Sequence, residues 1–223
     1  FATKSQLPIP AIVAINLIVG ALLGCLNAVL IDRLRATSII ITISTMSVFF
    51  ALLMYFTGGR SIYDLPAWWS SPVVLLQFAG SDDALVRITL PIAVMVVVAA
   101  VTAFIMNRTS LGRQIFAMGG NVEAARRMGI NLSTIQVFAY GYLGLMAGLA
   151  GLVQAHRVGE AVPNAMVGGE LFVLAAAVLG GASLTGGSGS VGGVMLGILL
   201  LAMLRNGLNL LGVSPYFFQI LLG

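Results

Sequence analysis

Four long runs of uncharged, mainly apolar residues constrain this chain more than any other feature. Each run is 19 to 23 residues long, and a helix needs about 20 residues to cross the hydrocarbon core of a bilayer. The runs cover residues 9–31, 38–56, 88–106 and 134–155. Because the whole chain is 59% hydrophobic and only 8% charged, with a mean hydropathy of +1.06, most of it is unsuited to water. The sequence therefore predicts an integral membrane protein.

The C-terminal third is less regular. Residues 165–182 can form a shorter span that carries Glu170, and residues 191–211 can form another that carries Arg205. Residues 217–223 look like the start of one more span. We therefore predict an all-α fold, a polytopic transmembrane helix bundle with six spans and part of a seventh. Strands are not expected, because the apolar runs are too long for a membrane barrel and lack its alternation.

The basic residues predict the orientation in the membrane. Six of the eleven lie in two loops, and these six are Arg33, Arg35, Arg108, Arg113, Arg126 and Arg127. The positive-inside rule makes both loops cytoplasmic, so the loop at 57–87 is external. Counting crossings from there places residues 156–163 outside and residues 119–130 and 180–190 inside. The net charge of +4 is thus a topological bias, and no nucleic-acid patch is predicted.

A short charged segment, residues 119–130, stands between the third and fourth apolar runs. Asn121 can accept a hydrogen bond from a first-turn amide, and Glu123 complements the positive end of a helix. Arg126 and Arg127 suit the other end, where Gly129 can adopt the left-handed stop. These signals predict a short rigid helix of about two turns at the membrane surface. Helix rules alone leave open whether it is a connector or a docking element.

The glycine-rich residues 180–193 include a match to G-x-G-x-x-G at 187–192. A dinucleotide fingerprint follows a strand and has an acidic residue about 20 positions on. Here an apolar segment comes first, and no acidic residue follows Glu170. We therefore predict a tight, flexible turn between two closely packed helices, with a gating role as the alternative. One histidine, one cysteine and seven scattered acidic residues also predict no catalytic site, no cofactor site and no metal site.

Small and polar residues inside the predicted spans have packing or pathway roles. Glycines recur at three- and four-residue spacing, which allows close helix approach in lipid, and they are Gly20, Gly24, Gly141, Gly144, Gly148 and Gly151. Polar side chains that can line a pathway for a neutral solute include Asn27, Thr42, Thr45, Gln154, Asn206 and Asn209. Each of these polar groups can equally bond a neighbouring helix.

Several segments carry a family resemblance. They are Leu-Gly-Arg at 111–113, Ala-Met-Gly-Gly-Asn at 117–121, Glu-Ala-Ala-Arg at 123–126, Gly-Ile at 129–130, and the runs at 144–151, 176–184, 186–190 and 206–214. Together they closely resemble the ribose-type permeases of ATP-driven sugar importers. The similarity covers nearly the whole chain and is specific from Leu111 onward.

The resemblance implies ten helices per subunit and two subunits around one pathway. Residues 1–223 would then be a single transmembrane permease domain that lacks segments at both ends. Residues 119–130 would hold the coupling helix, which fits a cleft in an ATP-binding subunit. The residues that match the coupling motif are Gly120, Asn121, Glu123, Ala124, Ala125, Arg126, Gly129 and Ile130.

The function implied is that of the membrane-spanning subunit of an ATP-binding-cassette importer for a monosaccharide or related small solute. Its implied partners are ATPase subunits, a second permease subunit that is a copy or a paralogue, an extracytoplasmic binding protein, the solute and the lipid of a bacterial inner membrane. ATP would be bound by the partner. One alternative is an importer of the same architecture for a branched-chain amino acid or a sugar-like signalling molecule. The other is an ion-coupled secondary transporter.

Overall fold

The computed structural model describes residues 8–63, 74–79 and 85–213. These residues form eight α-helices and one two-stranded hairpin. In chain order the elements are α1 (Ile9–Leu34), α2 (Ser38–Thr57), β1 (Val74–Ala79), β2 (Leu85–Thr89), α3 (Leu90–Arg108), α4 (Ser110–Gly120), α5 (Val122–Arg127), α6 (Leu132–Val158), α7 (Glu170–Leu179) and α8 (Val191–Leu210).

Five helices of the described chain, α1, α2, α3, α6 and α8, are long and apolar enough to cross a bilayer. They contain 19 to 27 residues. At about 1.5 Å per residue, each helix is about 30 Å long or longer, which matches the thickness of the hydrocarbon core. They coincide with the four uncharged predicted spans and with the predicted span at 191–211. The prediction of a polytopic helical membrane protein is therefore confirmed.

The prediction of a membrane span at residues 165–182 is wrong. Its helix, α7, has only ten residues, which is about 15 Å, or half the hydrocarbon core. The chain before it is turned back by hydrogen bonds from the Ala165 amide to the Val162 carbonyl and from the Gly169 amide to the Met166 carbonyl. Gly168 between them has a φ of +85°, which is incompatible with a right-handed α-helix and is readily adopted by glycine. The span predicted to begin at 217–223 lies outside the described residues.

A hairpin in the loop between α2 and α3 was not expected from the sequence. Strands β1 and β2 pair antiparallel, with Gln77 opposite Arg87 and Phe78 opposite Val86. The expectation of a fold without strands rested on the membrane spans, and the hairpin lies in the connection predicted to be external. Its sequence is rich in the aromatic and β-branched residues that favour strands.

Contacts divide the chain into two compact units, and each is described by itself. The first comprises Phe1–Met95 and Ser133–Ala165, and the second comprises Val96–Leu132 and Met166–Gly223. The first unit thus contains α1, α2, the hairpin and nearly all of α6. The second contains most of α3 together with α4, α5, α7 and α8.

In the first unit, α1 packs against α6 through glycines. A Cβ atom added to Gly20 would collide with the carbonyl of Gly144, and one added to Gly148 would lie 2.9 Å from the carbonyl oxygen of Asn16. The Asn16 side-chain amide donates to the Gly148 carbonyl at 3.2 Å. The predicted helix contacts are confirmed for these glycines, and also for Gly24 and Gly141. For Gly151 the contact stays a prediction, since a Cβ there would meet nothing within 4 Å among the described residues.

Two contacts in the first unit join loops that the sequence assigns to the same side of the membrane. Ile62 and Ala161 form a β-bridge, with both amide to carbonyl distances at 3.0 Å, and both lie in segments predicted to be external. The Ser133 hydroxyl donates to the Asp32 carboxylate at 3.0 Å, and both residues lie at predicted cytoplasmic ends. These contacts agree with the predicted crossing pattern.

In the second unit, α7 and α8 pack closely around the turn that joins them. A Cβ atom on Gly197 would collide with the Ala176 carbonyl, and one on Gly180 would lie 2.5 Å from the carbonyl oxygen of Gly193. Helix α8 begins at a cap, since the Ser190 hydroxyl accepts from the Gly193 amide at 3.0 Å. The prediction of a tight turn between closely packed helices is confirmed.

Alanine substitution of two glycines on α6 tests the packing of α1 against α6. Gly144→Ala places a methyl group against the backbone of Gly20 and is expected to destabilise the protein by about 1–3 kcal/mol, as overpacking does. Gly151→Ala meets open space and gains helix propensity of up to about 1 kcal/mol. Thermal unfolding in detergent should therefore give a lower midpoint for Gly144→Ala and an unchanged or higher one for Gly151→Ala. Equal midpoints for the two variants would contradict the packing.

Candidate functional site

Helices α4 and α5 meet at a sharp corner made by one residue. Asn121 has φ −155° and ψ 106°, an extended conformation, and it ends α4 as well as beginning α5. Its side-chain Oδ1 accepts a hydrogen bond from the Ala124 amide at 2.9 Å, which satisfies one of the free donors of the first turn. The predicted cap at Asn121 is confirmed. The corner separates α5 from the helix before it.

The C-terminal end of α5 is equally well defined. Gly129 has a φ of +80°, and its amide donates to the Arg126 carbonyl at 3.0 Å. The Ile130 amide donates to the Ala125 carbonyl at 3.2 Å. These two bonds form a Schellman motif, which ends a helix by satisfying its last carbonyls. The predicted left-handed stop at Gly129 is thus confirmed.

The helix itself has about the two turns predicted, but it occupies only part of residues 119–130. It contains only Val122–Arg127, six residues, because the extended Asn121 interrupts the backbone. Gly119 and Gly120 are the last residues of α4 instead. We call residues 119–130 the coupling segment, after the role that the sequence predicts for them.

Helix α5 has one buried side and one charged, exposed side. Ala125 is completely buried, whereas Ala124 and Arg126 are exposed. Arg127 Nε lies 3.5 Å from Glu123 Oε1, with the two side chains 80% and 62% exposed. A pair so open to water contributes little to stability. The charges of α5 therefore remain available to a partner.

Two apolar side chains next to these charges were missed by the sequence reasoning. Val122 and Met128 are 52% and 66% exposed, one at each end of α5. The signal was present, since both are apolar residues within a polar segment between membrane spans. Val122 and Met128 therefore add exposed apolar surface at the two ends of α5.

The predicted pathway residues are divided between the two units. In the first unit, the Thr42 hydroxyl donates to the Ser38 carbonyl at 2.9 Å and the Thr45 hydroxyl donates to the Thr42 carbonyl at 3.1 Å. Asn27 and Gln154 are both partly buried, on α1 and α6. In the second unit, Asn206 and Asn209 are exposed on α8.

Asn27 differs from the others because its Oδ1 is a buried oxygen without a hydrogen-bond partner in the described chain. An acceptor left in that state costs about 1–3 kcal/mol, so buried unsatisfied groups usually have a functional or structural reason. A solute hydroxyl is one donor that would satisfy it.

Comparison with known proteins agrees with this architecture. The family model described as the permease component of the branched-chain amino acid transport system matches residues 1–223. The ribose import permease RbsC of Haemophilus influenzae is 37% identical over 212 residues, which is 95% of this chain. That of Bacillus subtilis is 36% identical over 86% of the chain. The autoinducer 2 import system permease LsrC of Yersinia pestis is 33% identical over 93% of it.

The chain spans 64%, 58% and 57% of the lengths of these three relatives. No solved structure matches it. The family match covers every residue of the chain, and the described helices are those of a multi-pass membrane protein. The chain belongs to the family of branched-chain amino acid transport system permease components.

Proposed function

We propose that this chain is part of the membrane-spanning subunit of an ATP-binding-cassette importer that carries a monosaccharide or related small solute into the cell. The observation that carries the proposal is the coupling segment, a short helix capped at both ends with its charges exposed. The relatives that match nearly the whole chain are permeases named for the import of ribose and of autoinducer 2.

The structure of α5 suits the transmission of force. A six-residue helix by itself is not stable in water, because nucleation is costly. Here Asn121 fixes one end, the Schellman motif at Gly129 fixes the other, and Ala125 is buried against the protein. An ATPase subunit that binds Glu123 and Arg126 would therefore move α5 as a rigid body.

The side of the membrane on which each segment is predicted to lie indicates its proposed partner. Among the predicted coupling residues, Gly120, Asn121, Glu123, Ala124, Arg126 and Gly129 are exposed and would meet an ATPase subunit on the cytoplasmic side. Ala125 is buried and Ile130 is half-buried, so these two would hold the segment against this chain instead. ATP would be bound and hydrolysed there, outside this chain. A second permease subunit would complete the pathway across the bacterial inner membrane. A solute-binding protein would deliver the solute on the external side, where Ile62 and Ala161 join two loops.

The pathway itself would be lined by neutral polar groups. We propose Asn27, Thr42, Thr45, Gln154, Asn206 and Asn209 for this role. Uncharged amides and hydroxyls can bond the hydroxyls of a sugar without the barrier that a buried charge would raise. The unsatisfied Oδ1 of Asn27 is the group best prepared to accept such a bond.

A branched-chain amino acid is the second candidate for the solute, because the family description names such a transport system. An amino acid at neutral pH carries an ammonium and a carboxylate, and burial of these charges requires paired partners. The six proposed lining residues offer no charge, which favours a sugar-like solute. Competition of uptake by ribose and by leucine would distinguish the two candidates.

Charge reversal in the coupling segment tests the proposed docking. Arg126→Glu or Glu123→Lys in the native transporter should abolish ATP-dependent uptake, because a reversed charge repels a partner surface that complements the original one. Co-purification of the ATPase subunit should be lost, while insertion into the membrane stays intact. Arg60→Glu is the matched control, since Arg60 is an exposed arginine on the predicted external side. Unchanged uptake and unchanged ATPase recruitment in Arg126→Glu would contradict the assignment.

Substitutions of two asparagines on α1 distinguish a role in the solute pathway from a role in helix packing. Asn27→Leu removes the unsatisfied oxygen and should raise the KM for the solute about tenfold, the effect of losing one hydrogen bond of about 1.4 kcal/mol. Its thermal stability should not fall, since no protein bond is lost there. Asn16→Leu removes the bond to Gly148, and should lower thermal stability with little change in KM. A normal KM in Asn27→Leu would exclude Asn27 from the pathway.

A further inference from the structure

We propose that the glycine turn at residues 180–190 is a mechanical link that carries a displacement of α5 to α7 and α8. This turn joins α7 to α8 and is separate from the proposed ATPase docking surface at residues 119–130. The inference rests on the proposed function, because it needs a partner that displaces the coupling segment.

The backbone of the turn lies directly against the backbone of the coupling segment. A Cβ atom on Gly119 would lie 2.7 Å from the amide nitrogen of Gly187. From the other side, a Cβ on Gly186 would lie 2.5 Å from the Gly119 carbonyl oxygen, and one on Gly187 would lie 2.6 Å from the Gly120 Cα. No side chain stands between these backbones. Because close-packed atoms resist compression, neither backbone can move toward the other without pushing it.

The turn is internally braced, so a push on it is not absorbed by bending. The Ser183 amide donates to the Ser188 carbonyl at 3.1 Å, and the Gly186 amide donates to the Ser183 carbonyl at 3.1 Å. The Ser183 and Thr185 hydroxyls are 2.8 Å apart. These bonds span the turn and hold Gly186 and Gly187 in place.

Both ends of the turn continue into closely packed helices. On one side, Gly180 follows α7 and lies against Gly193 of α8. On the other side, the Ser190 cap joins the turn directly to the first turn of α8. Helix α7, the turn and α8 therefore form one body, and α8 carries the proposed pathway residues Asn206 and Asn209.

Helix α5 is also close in sequence to the contact between Gly119 and Gly187. Only Asn121 separates α5 from Gly120, and its amide donates to the Ala117 carbonyl of α4 at 3.1 Å. A displacement of α5 toward the turn would therefore push Gly119 and Gly120 against Gly186 and Gly187. This path connects ATP-driven movement to the helix that bears pathway residues.

Alanine substitutions with matched controls test the link in the complete transporter, reconstituted with its ATPase subunit and binding protein. Gly119→Ala adds a methyl group at the contact, whereas Gly192→Ala adds one to a helix at a site with nothing within 4 Å. Gly186→Ala and Gly181→Ala have nearly equal φ values, +87° and +85°, but only Gly186 lies against Gly119. Each pair differs mainly in the contact.

We expect Gly119→Ala and Gly186→Ala to reduce uptake about tenfold or more, a loss of coupling readable from transport kinetics. Their ATPase subunit should still co-purify, and ATP hydrolysis should no longer respond to loaded binding protein. Uptake by each control should exceed that of its partner variant, and Gly192→Ala should stay within about twofold of the unsubstituted transporter. Equal uptake within both pairs would overturn the link. Loss of ATPase recruitment in Gly119→Ala would also overturn it, because the contact would then only support the docking surface.

A spin-label measurement keeps the proposal testable if a glycine variant does not fold. Labels at Leu184 of the turn and Arg113 of α4, both exposed, should keep one distance between the nucleotide-free and ATP-bound states. The distance from Leu184 to a label at Ile39 of α2 should change between those states. A changed distance between Leu184 and Arg113, or no change in either distance, would overturn the link. Failure of the unsubstituted protein to recruit any ATPase would instead refute the proposed function itself.

Discussion

In a bilayer, apolar helix surfaces gain little by packing against each other instead of lipid, so helix association depends on close contact of backbones. Three such contacts stand out in the part of the chain that the structure describes. Gly20 and Gly144 bring the middles of α1 and α6 together, Gly193 and Gly197 bring α8 against α7, and Gly119 meets Gly187. The position of the coupling segment against its neighbouring turn depends on the third contact.

The coupling segment combines local rigidity with an unused surface. Its caps at Asn121 and Gly129 fix both ends of α5, and the burial of Ala125 holds the helix against the rest of the chain. Its charges make one weak exposed pair, between Glu123 and Arg127, and its ends expose Val122 and Met128. Exposed charged and apolar groups on a short capped helix are the features that support the proposed docking of a partner.

What the sequence predicted well was either local or set by the membrane. The five long helices follow from run length and hydropathy, and the cap at Asn121 follows from one side chain and the next three amides. The short α7 was missed because apolar residues in a turn, such as Ala165 to Val167, extend the hydropathy signal beyond the helix. The hairpin was missed because its alternation is confined to a loop. Contacts such as Gly119 with Gly187 join residues distant in sequence, and no local pattern encodes them.

Solute uptake by purified components distinguishes an ATP-driven importer from a secondary transporter. The transporter isolated from native membranes would be placed in vesicles, and solute uptake measured with the ATPase subunit, ATP and the binding protein each present or omitted. We expect uptake only when all three are present, and no ATP binding by the membrane subunit alone. Uptake by the membrane subunit alone, driven by an ion gradient without ATP, would refute energy coupling through α5 and identify a secondary transporter.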